Sequence, residues 1–409
     1  MNDLSSLGII LLAALLIGHL VQAIRIPEVT GYLFAGVLVG PSVLGFISHE
    51  NLSALQVFSE VGLGLILFSI GATFNFSSIR KTGGSIAALS LSESLLTLVL
   101  VTIGMLITGQ SLAVALLLGA IAIETGAAST LMVLREVDSR GPLTDAVTSV
   151  IALNNIMALV VFSLVAAGLQ LHGASVSGSL DPTIVYNTVF PVVWQFAGSA
   201  ALGYLVGLLL AAWASRGLES GELLILMIGC VLLTVGLASW MGASPLMASL
   251  FVGTTLTNLS SRSRHLFDAL SRTDPPLYVI FFVLAGAELD LRLLPSLGVV
   301  GLMYIACRCV GKIGGTFFAA RRRGLPAEVR KLLGVSILAQ AGLAIGLVLL
   351  TKQRFPEMST TIATVVLGAV AAFELIGPIS ARQALVKSGE VGSNSHSRRT
   401  SIKADDLTG

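Results

Sequence analysis

Apolar runs of about twenty residues recur along nearly all of this 409-residue chain, and each approaches the length of helix that crosses a bilayer. About thirteen can be drawn, near residues 4–23, 28–46, 54–73, 84–107, 112–134, 146–170, 188–214, 221–240, 245–258, 275–289, 294–319, 331–351 and 360–381. Charged residues make up 11% of the chain and hydrophobic residues 55%, with a mean hydropathy of +0.92. A soluble domain is about one-quarter charged, and no soluble fold of this size hides such a composition. Backbone polar groups in lipid must bond within their own segment. The chain therefore reads as an all-α polytopic membrane protein. Its first run has neither a basic flank nor a small-residue cleavage site, so it is expected to be a retained helix.

Basic residues orient the spans, because cytoplasmic loops are rich in Lys and Arg. Of 24 such residues, nineteen fall in loops on one side or in the tail, and three (Arg292, Lys352, Arg354) fall on the other. Arg308 and Lys312 lie inside a run. This split places the N-terminus outside and the C-terminus in the cytoplasm of a multi-pass cell-membrane protein, of a bacterial inner-membrane kind. Residues 387–409 are polar and are expected to form a disordered cytoplasmic tail; its RRTS at 398–401 is read as flexible tail rather than a modification site. No Gly-rich βαβ unit follows the apolar runs, so no nucleotide-gating domain is expected. A net charge of +2 gives no reason to expect nucleic acid. Cys230, Cys307 and Cys309 lie in apolar runs without metal spacing and read as small core residues.

Within the run at 112–134 sits Glu124, followed by Thr125, Gly126, Ala127, Ala128, Ser129 and Thr130. A carboxylate at membrane depth marks a functional site by default, and the small and polar residues after it suit an interrupted helix. A second weak point, from Ser336 to Gly346 with Gln340 inside it, lies in the run at 331–351, which crosses in the opposite sense. Paired interrupted helices of opposite direction mark an inverted repeat with two crossing broken helices. The six runs related by this repeat all carry polar groups near mid-span: Glu93, Glu124, Asn154 with Asn155, Arg308 with Lys312, Gln340 and Glu374. The expected organisation is one membrane transporter domain over 1–386. Its core helices lie at about 84–170 and 294–381, and its scaffold helices at about 4–73 and 188–289.

Six stretches resemble, in order, the monovalent cation:proton antiporter-2 family, the Kef/Nap-type exchangers. They are IPEVTGYLFAGVLVGPSVLG (26–45), FSEVGLGLILFSIG (58–71), FFVLAGAELDL (281–291), RCVGKIGG (308–315), LAQAGLAIG (338–346) and ELIGP (374–378). The resemblance covers about residues 1–385. It implies an NhaA-like antiporter fold, exchange of a proton for sodium or potassium, a homodimer in lipid, and no resident cofactor beyond the cation and proton carried. The family's sixth helix normally carries an acid pair or an amide–acid pair whose second Asp holds the ion and the proton. Here those positions are Asn154 and Asn155, in IALNNIMAL (151–159). An amide oxygen ligates a cation but has no proton to exchange.

Glu124 is the best replacement, at a point where the family usually has Thr or Ser. It is expected to take a cation with Thr125, Asn154 and Asn155 as neutral ligands, or a proton that displaces it, with Lys312 competing electrostatically; the alternative is a permanent pair with Lys312. Lys312 matches the family lysine that pairs with a helix 6 acid, and with that acid missing its candidate partners are Glu124 and Glu93. Arg308, one turn earlier on the same face, is expected to be structural and paired with Glu93 or Glu374. Glu374 is expected in a scaffold ion pair, and His19 as a satisfied core histidine. Asp145 and Glu288 read as interfacial, and Asp290 as interfacial or lining the mouth of an ion pathway. With Glu93, Glu124 and Glu374 set against Arg308 and Lys312, full ionisation leaves one negative charge, which one cation or one proton neutralises. Two rival readings stay open: the same fold carrying an anion or small organic acid with protons, and an uncoupled channel-like or regulatory protein. No nucleophile–base pair or metal cluster argues for an enzyme.

Overall fold

The computed structural model describes residues 3–24, 26–72, 74, 76–176, 182–216, 220–260, 262–271, 275–289 and 298–392. The described residues are helical, with turns and short connections and no strand. The first stretch holds α1 (Asp3–Ala23), α2 (Glu28–Val39), α3 (His49–Gly71) and α4 (Phe76–Ile107). The expected run at 112–134 is two pieces, α5 (Leu112–Ala122) and α6 (Ala127–Glu136). There follow α7 (Pro142–Val176), α8 (Pro182–Ala214), α9 (Ser220–Trp240), α10 (Pro245–Leu259), α11 (Ser263–Ser271) and α12 (Pro275–Glu288). The C-terminal part holds α13 (Gly298–Arg322), the two pieces α14 (Ala327–Ser336) and α15 (Gly342–Arg354), and α16 (Pro356–Ser388).

Eight helices are long and apolar enough to cross a bilayer among the described residues, with 112–136 taken as one, and four shorter apolar helices accompany them. Leu12, Leu15 and Leu16 of α1 and Leu205, Leu209 and Trp213 of α8 stand exposed, a surface that suits lipid rather than water. Helix α2 stops at Val39, short of the expected 46, because Pro41 pushes Gly40 into extended backbone (φ −72°, ψ 179°). Helix α11 was unexpected; it is a short, charge-bearing helix that buries Leu266 and Leu270.

The helices fall into two sets by what they pack against. Helices α4–α7 and α13–α16 contact one another, with α13 lying along α4; α1–α3 and α8–α12 form the other set, with α10 against α3 and α8 and α12 against α2 and α3. Small residues set the closest approach in the first set. A Cβ on Gly311 would fall 2.6 Å from Thr97 Cα, and one on Gly315 would fall 2.5 Å from Glu93 Cα. These glycines flank Lys312 and bring its turn of α13 against Glu93.

Residues 387–392 correct the expectation of a disordered tail. Helix α16 runs to Ser388 and ends on Gly389 in left-handed conformation (φ 76°). The next residue, Glu390, then caps the N-terminus of α7. Its Oε1 accepts from Leu143 N–H at 2.7 Å, and its Oε2 accepts from Thr144 N–H at 2.8 Å. Residues 393–409 lie outside the described residues, as does Asp290.

Candidate ion-binding site at the crossing of the interrupted helices

The two breaks touch. Gly126 N–H donates to Ala339 C=O at 2.8 Å, joining the gap between α5 and α6 to the gap between α14 and α15. Helix α16 backs this crossing: a Cβ on Gly377 would fall 2.6 Å from Ala339 Cα. Four helix ends therefore meet in one buried region, two C-termini that present carbonyls and two N-termini that present N–H groups.

Two cations satisfy the carbonyl ends. Arg308 is fully buried. Its Nε donates to Ala122 C=O at 3.1 Å and its Nη1 to Leu338 C=O at 2.6 Å. Its Nη2 donates to Glu124 C=O at 2.7 Å and Ala339 C=O at 3.1 Å. The guanidinium carbon lies 4.4 Å from the centroid of the Phe373 ring. No carboxylate lies within ion-pair distance of Arg308 among the described residues, which corrects the expected pairing with Glu93 or Glu374. Planar donors that span both broken ends make Arg308 a clamp on the crossing.

Lys312 resolves its two candidate partners. Its Nζ lies 2.7 Å from Glu93 Oε1, with both side chains fully buried. The remaining donors reach Ile123 C=O at 2.9 Å and Thr125 Oγ1 at 2.9 Å. Glu93 also accepts from Thr97 Oγ1 at 3.3 Å and from Ser94 Oγ at 3.4 Å. All three ammonium donors are used, and Lys312 makes no bond to Glu124.

The asparagines take different roles. Asn154 is fully buried; its Oδ1 accepts from Ser90 Oγ at 2.6 Å, and its Nδ2 donates to Thr125 Oγ1 at 3.3 Å. It is spent on internal bonds. Asn155 is partly buried; among the described residues its Oδ1 accepts only the Thr125 N–H, at 3.3 Å, and the side chain lines a cavity. Gln340 is fully buried. Its Nε2 donates to Tyr304 Oη at 3.0 Å and Ile121 C=O at 3.4 Å, and its Oε1 has no partner among the described residues.

Glu124, 1% exposed, sits at the N-terminal end of α15, where its Oε2 accepts from Ala341 N–H at 3.2 Å. It has no ion pair among the described residues. With Asn155 it lines a cavity of about 40 Å³, above the roughly 10–15 Å³ that one water needs. Leu63, Leu67, Leu250 and Phe281 of the second helix set close the other side. The carboxylate thus faces the boundary between the sets. Glu374, 5% exposed, accepts from Ser129 Oγ at 3.3 Å near the start of α6. It has no ion pair among the described residues either, which corrects the expected scaffold pair. His19 is exposed, not in the core, and its Nδ1 donates to Leu15 C=O at 2.8 Å. Asp145 is exposed at the start of α7, and Glu288 is exposed at the end of α12.

Sequence reasoning missed Ser90 and the Ala341 N–H, and it named Ser129 in the break without linking it to Glu374. Ser90 was findable, three residues before Glu93 on the same buried face of α4. The backbone donor at Ala341 leaves no trace in side-chain patterns.

Residues 9–387 match the family described as sodium/hydrogen exchanger, transmembrane. Among similar proteins, the ammonium/H⁺ antiporter subunit AmhT of Alkalihalophilus pseudofirmus is 23% identical over 380 residues, covering 91% of this chain and 89% of that one. The Na⁺/H⁺ antiporter NhaS4 of Synechocystis is 24% identical over 356 residues, covering 81% and 84%. A structure of the sodium proton antiporter MjNhaP1 from Methanocaldococcus jannaschii shares the fold at a TM-score of 0.74 and 17% identity, covering 94% of this chain and 97% of that one.

Proposed function

Since the chain belongs to the sodium/hydrogen exchanger family, a family of cation/proton antiporters and not of enzymes, we propose that it exchanges a monovalent cation for protons through Glu124. One observation carries the assignment to this residue. Glu124 is a buried carboxylate with no cationic side chain paired to it among the described residues, set in a cavity with Asn155 at the boundary of the two helix sets. An unpaired buried carboxylate favours binding a proton or a small cation. Cation on Glu124 leaves no room for the proton, and the proton removes the charge that holds the cation.

The rest of the transport cycle follows the family logic. The set α4–α7 with α13–α16 acts as the moving core, and the set α1–α3 with α8–α12 as the scaffold. The two are arranged as a thirteen-span inverted repeat with the N-terminus outside. Rocking of the core against the scaffold exposes Glu124 to one side and then the other. The scaffold joins two copies in the membrane. Lys312 is neutralised by Glu93 at 2.7 Å, so the crossing offers no spare ammonium for an anion, which disfavours the organic-acid reading. The relatives' names divide between ammonium and sodium, so the cation is a matter for assay.

Proteoliposomes carrying a trapped pH dye test the reading. Addition of Na⁺, K⁺, Li⁺ or NH₄⁺ should drive proton movement through the wild-type protein for at least one cation, and Glu124→Gln should abolish it. Unchanged cation-driven proton movement in E124Q would refute the assignment.

A further inference from the structure

Among the described residues Glu374 is the second buried acid at the crossing without a cationic partner. It lines a separate cavity of about 220 Å³, which Glu60 of α3 and Glu288 at the end of α12 also line. Among the described residues no Lys or Arg lines that cavity. One Glu374 oxygen holds Ser129, and the other has no hydrogen-bond partner among the described residues. The Glu374 and Glu124 cavities share Leu63, Ala128, Phe281, Ala341 and Gly342 as walls, so the two carboxylates look into adjoining spaces.

Counting charge by pair sharpens what these acids require. Glu93 and Lys312 cancel at 2.7 Å. That leaves Arg308 against Glu124 and Glu374, so one buried negative charge remains uncompensated. Other charged groups facing Glu374 are Glu60 and Glu288 across the cavity; both are acids and both are exposed. The neighbouring helix α15 carries Lys352 and Arg354 only beyond Leu349, its last residue on the cavity wall.

We infer that Glu124 and Glu374 form one binding unit that shares a single monovalent cation or a single proton, with Glu374 as the station on the Glu60–Glu288 side. This rests on the exchange reading for the identity of the cargo, but not for the sharing itself. Arg308 adds one positive charge to the region without pairing with either acid, so the sum is zero with one acid ionised and −1 with both, and both together call for one cation or one proton. A cation that enters the wider cavity meets Glu374 first and passes to Glu124 with the net charge unchanged. In the exchange step one proton leaves a carboxyl oxygen as one cation takes its place, so charge balances.

Removal of Glu374 should therefore weaken a cation that it need not touch. In proteoliposomes, Glu374→Gln should raise the half-saturating cation concentration more than about tenfold, and Glu374→Asp should restore most of the affinity. Infrared difference spectra of purified protein, with pH and Na⁺ or K⁺ as the only variables, give a readout that does not need transport. The wild type should show one protonated-carboxyl band at low cation that disappears as cation is added, and both E124Q and E374Q should lack it. E374Q with wild-type cation affinity, or with the carboxyl band intact, would overturn the shared unit. If no tested cation drives proton movement in the wild type while the band still titrates with pH and vanishes in both variants, the sharing stands and the exchange reading falls.

Discussion

Glu93 and Glu124 are both buried in the same helix set, yet their surroundings are opposite. Glu93 holds Lys312 and two hydroxyls, and every donor around it is used. Glu124 holds one backbone N–H and faces a cavity. A closed pair builds structure, because its charge is already answered. An open acid is left with a demand that only something mobile can meet. In this chain the Lys312 ammonium is taken up by Glu93, Ile123 C=O and Thr125 Oγ1, and we propose that its role is structural. Its neighbour Arg308 has no ion pair among the described residues and instead ties the broken helix ends together.

That contrast can be attacked at either pole. The largest effect on transport is expected at Glu124: E124Q should remove cation-driven proton movement altogether while leaving thermal stability near wild type. Asn155→Asp in that background places an acid in the same cavity and should restore part of the exchange. At the closed pole, Lys312→Met strands Glu93 and should cost about 3–5 kcal/mol of stability, read as a lowered melting temperature in detergent. The double replacement Glu93→Met with Lys312→Met removes both charges and should recover most of that loss, and exchange with it. If the double variant is stable but inactive, Lys312 belongs to the transport machinery and the contrast fails.

A smaller effect tests competition at the open pole. A proton and a cation on one carboxylate exclude each other. The apparent KM for cation should then rise as pH falls, by about tenfold per pH unit once the acid is mostly protonated. A KM independent of pH would break the one-site account. The smallest effect lies at the rim. Glu390→Gln weakens the cap on α7 and should cost about 1 kcal/mol, with cation affinity unchanged.

Much of this arrangement could be read from the residues. The apolar runs marked where helices form, and the small residues after Glu124 and around Gln340 marked both interruptions. The asparagines at 154 and 155 drew attention to Glu124, which is buried and lines a cavity with Asn155. What escaped has physical reasons. Arg308 bonds to carbonyls, and every residue has one, so no side-chain pattern reveals that choice. Lys312 had two possible acids, and the close approach at Gly311 and Gly315 decided for Glu93. Glu374 looked like half of an ion pair because buried acids usually have partners; the absence of one emerged only when Arg308 proved to be occupied. His19 was misjudged because α1 has an exposed face, where polarity is no sign of burial. Glu390 looked like tail because a cap on a helix 247 residues away in sequence has no local signature.

The most direct measurement is proton release on cation binding in unbuffered detergent solution, with no membrane and no turnover. Wild-type protein should release one proton for each Na⁺, K⁺, Li⁺ or NH₄⁺ bound, whichever cation it accepts, and E124Q should release none. Proton release from E124Q equal to that of the wild type would contradict the account, because the proton would then come from a group other than Glu124.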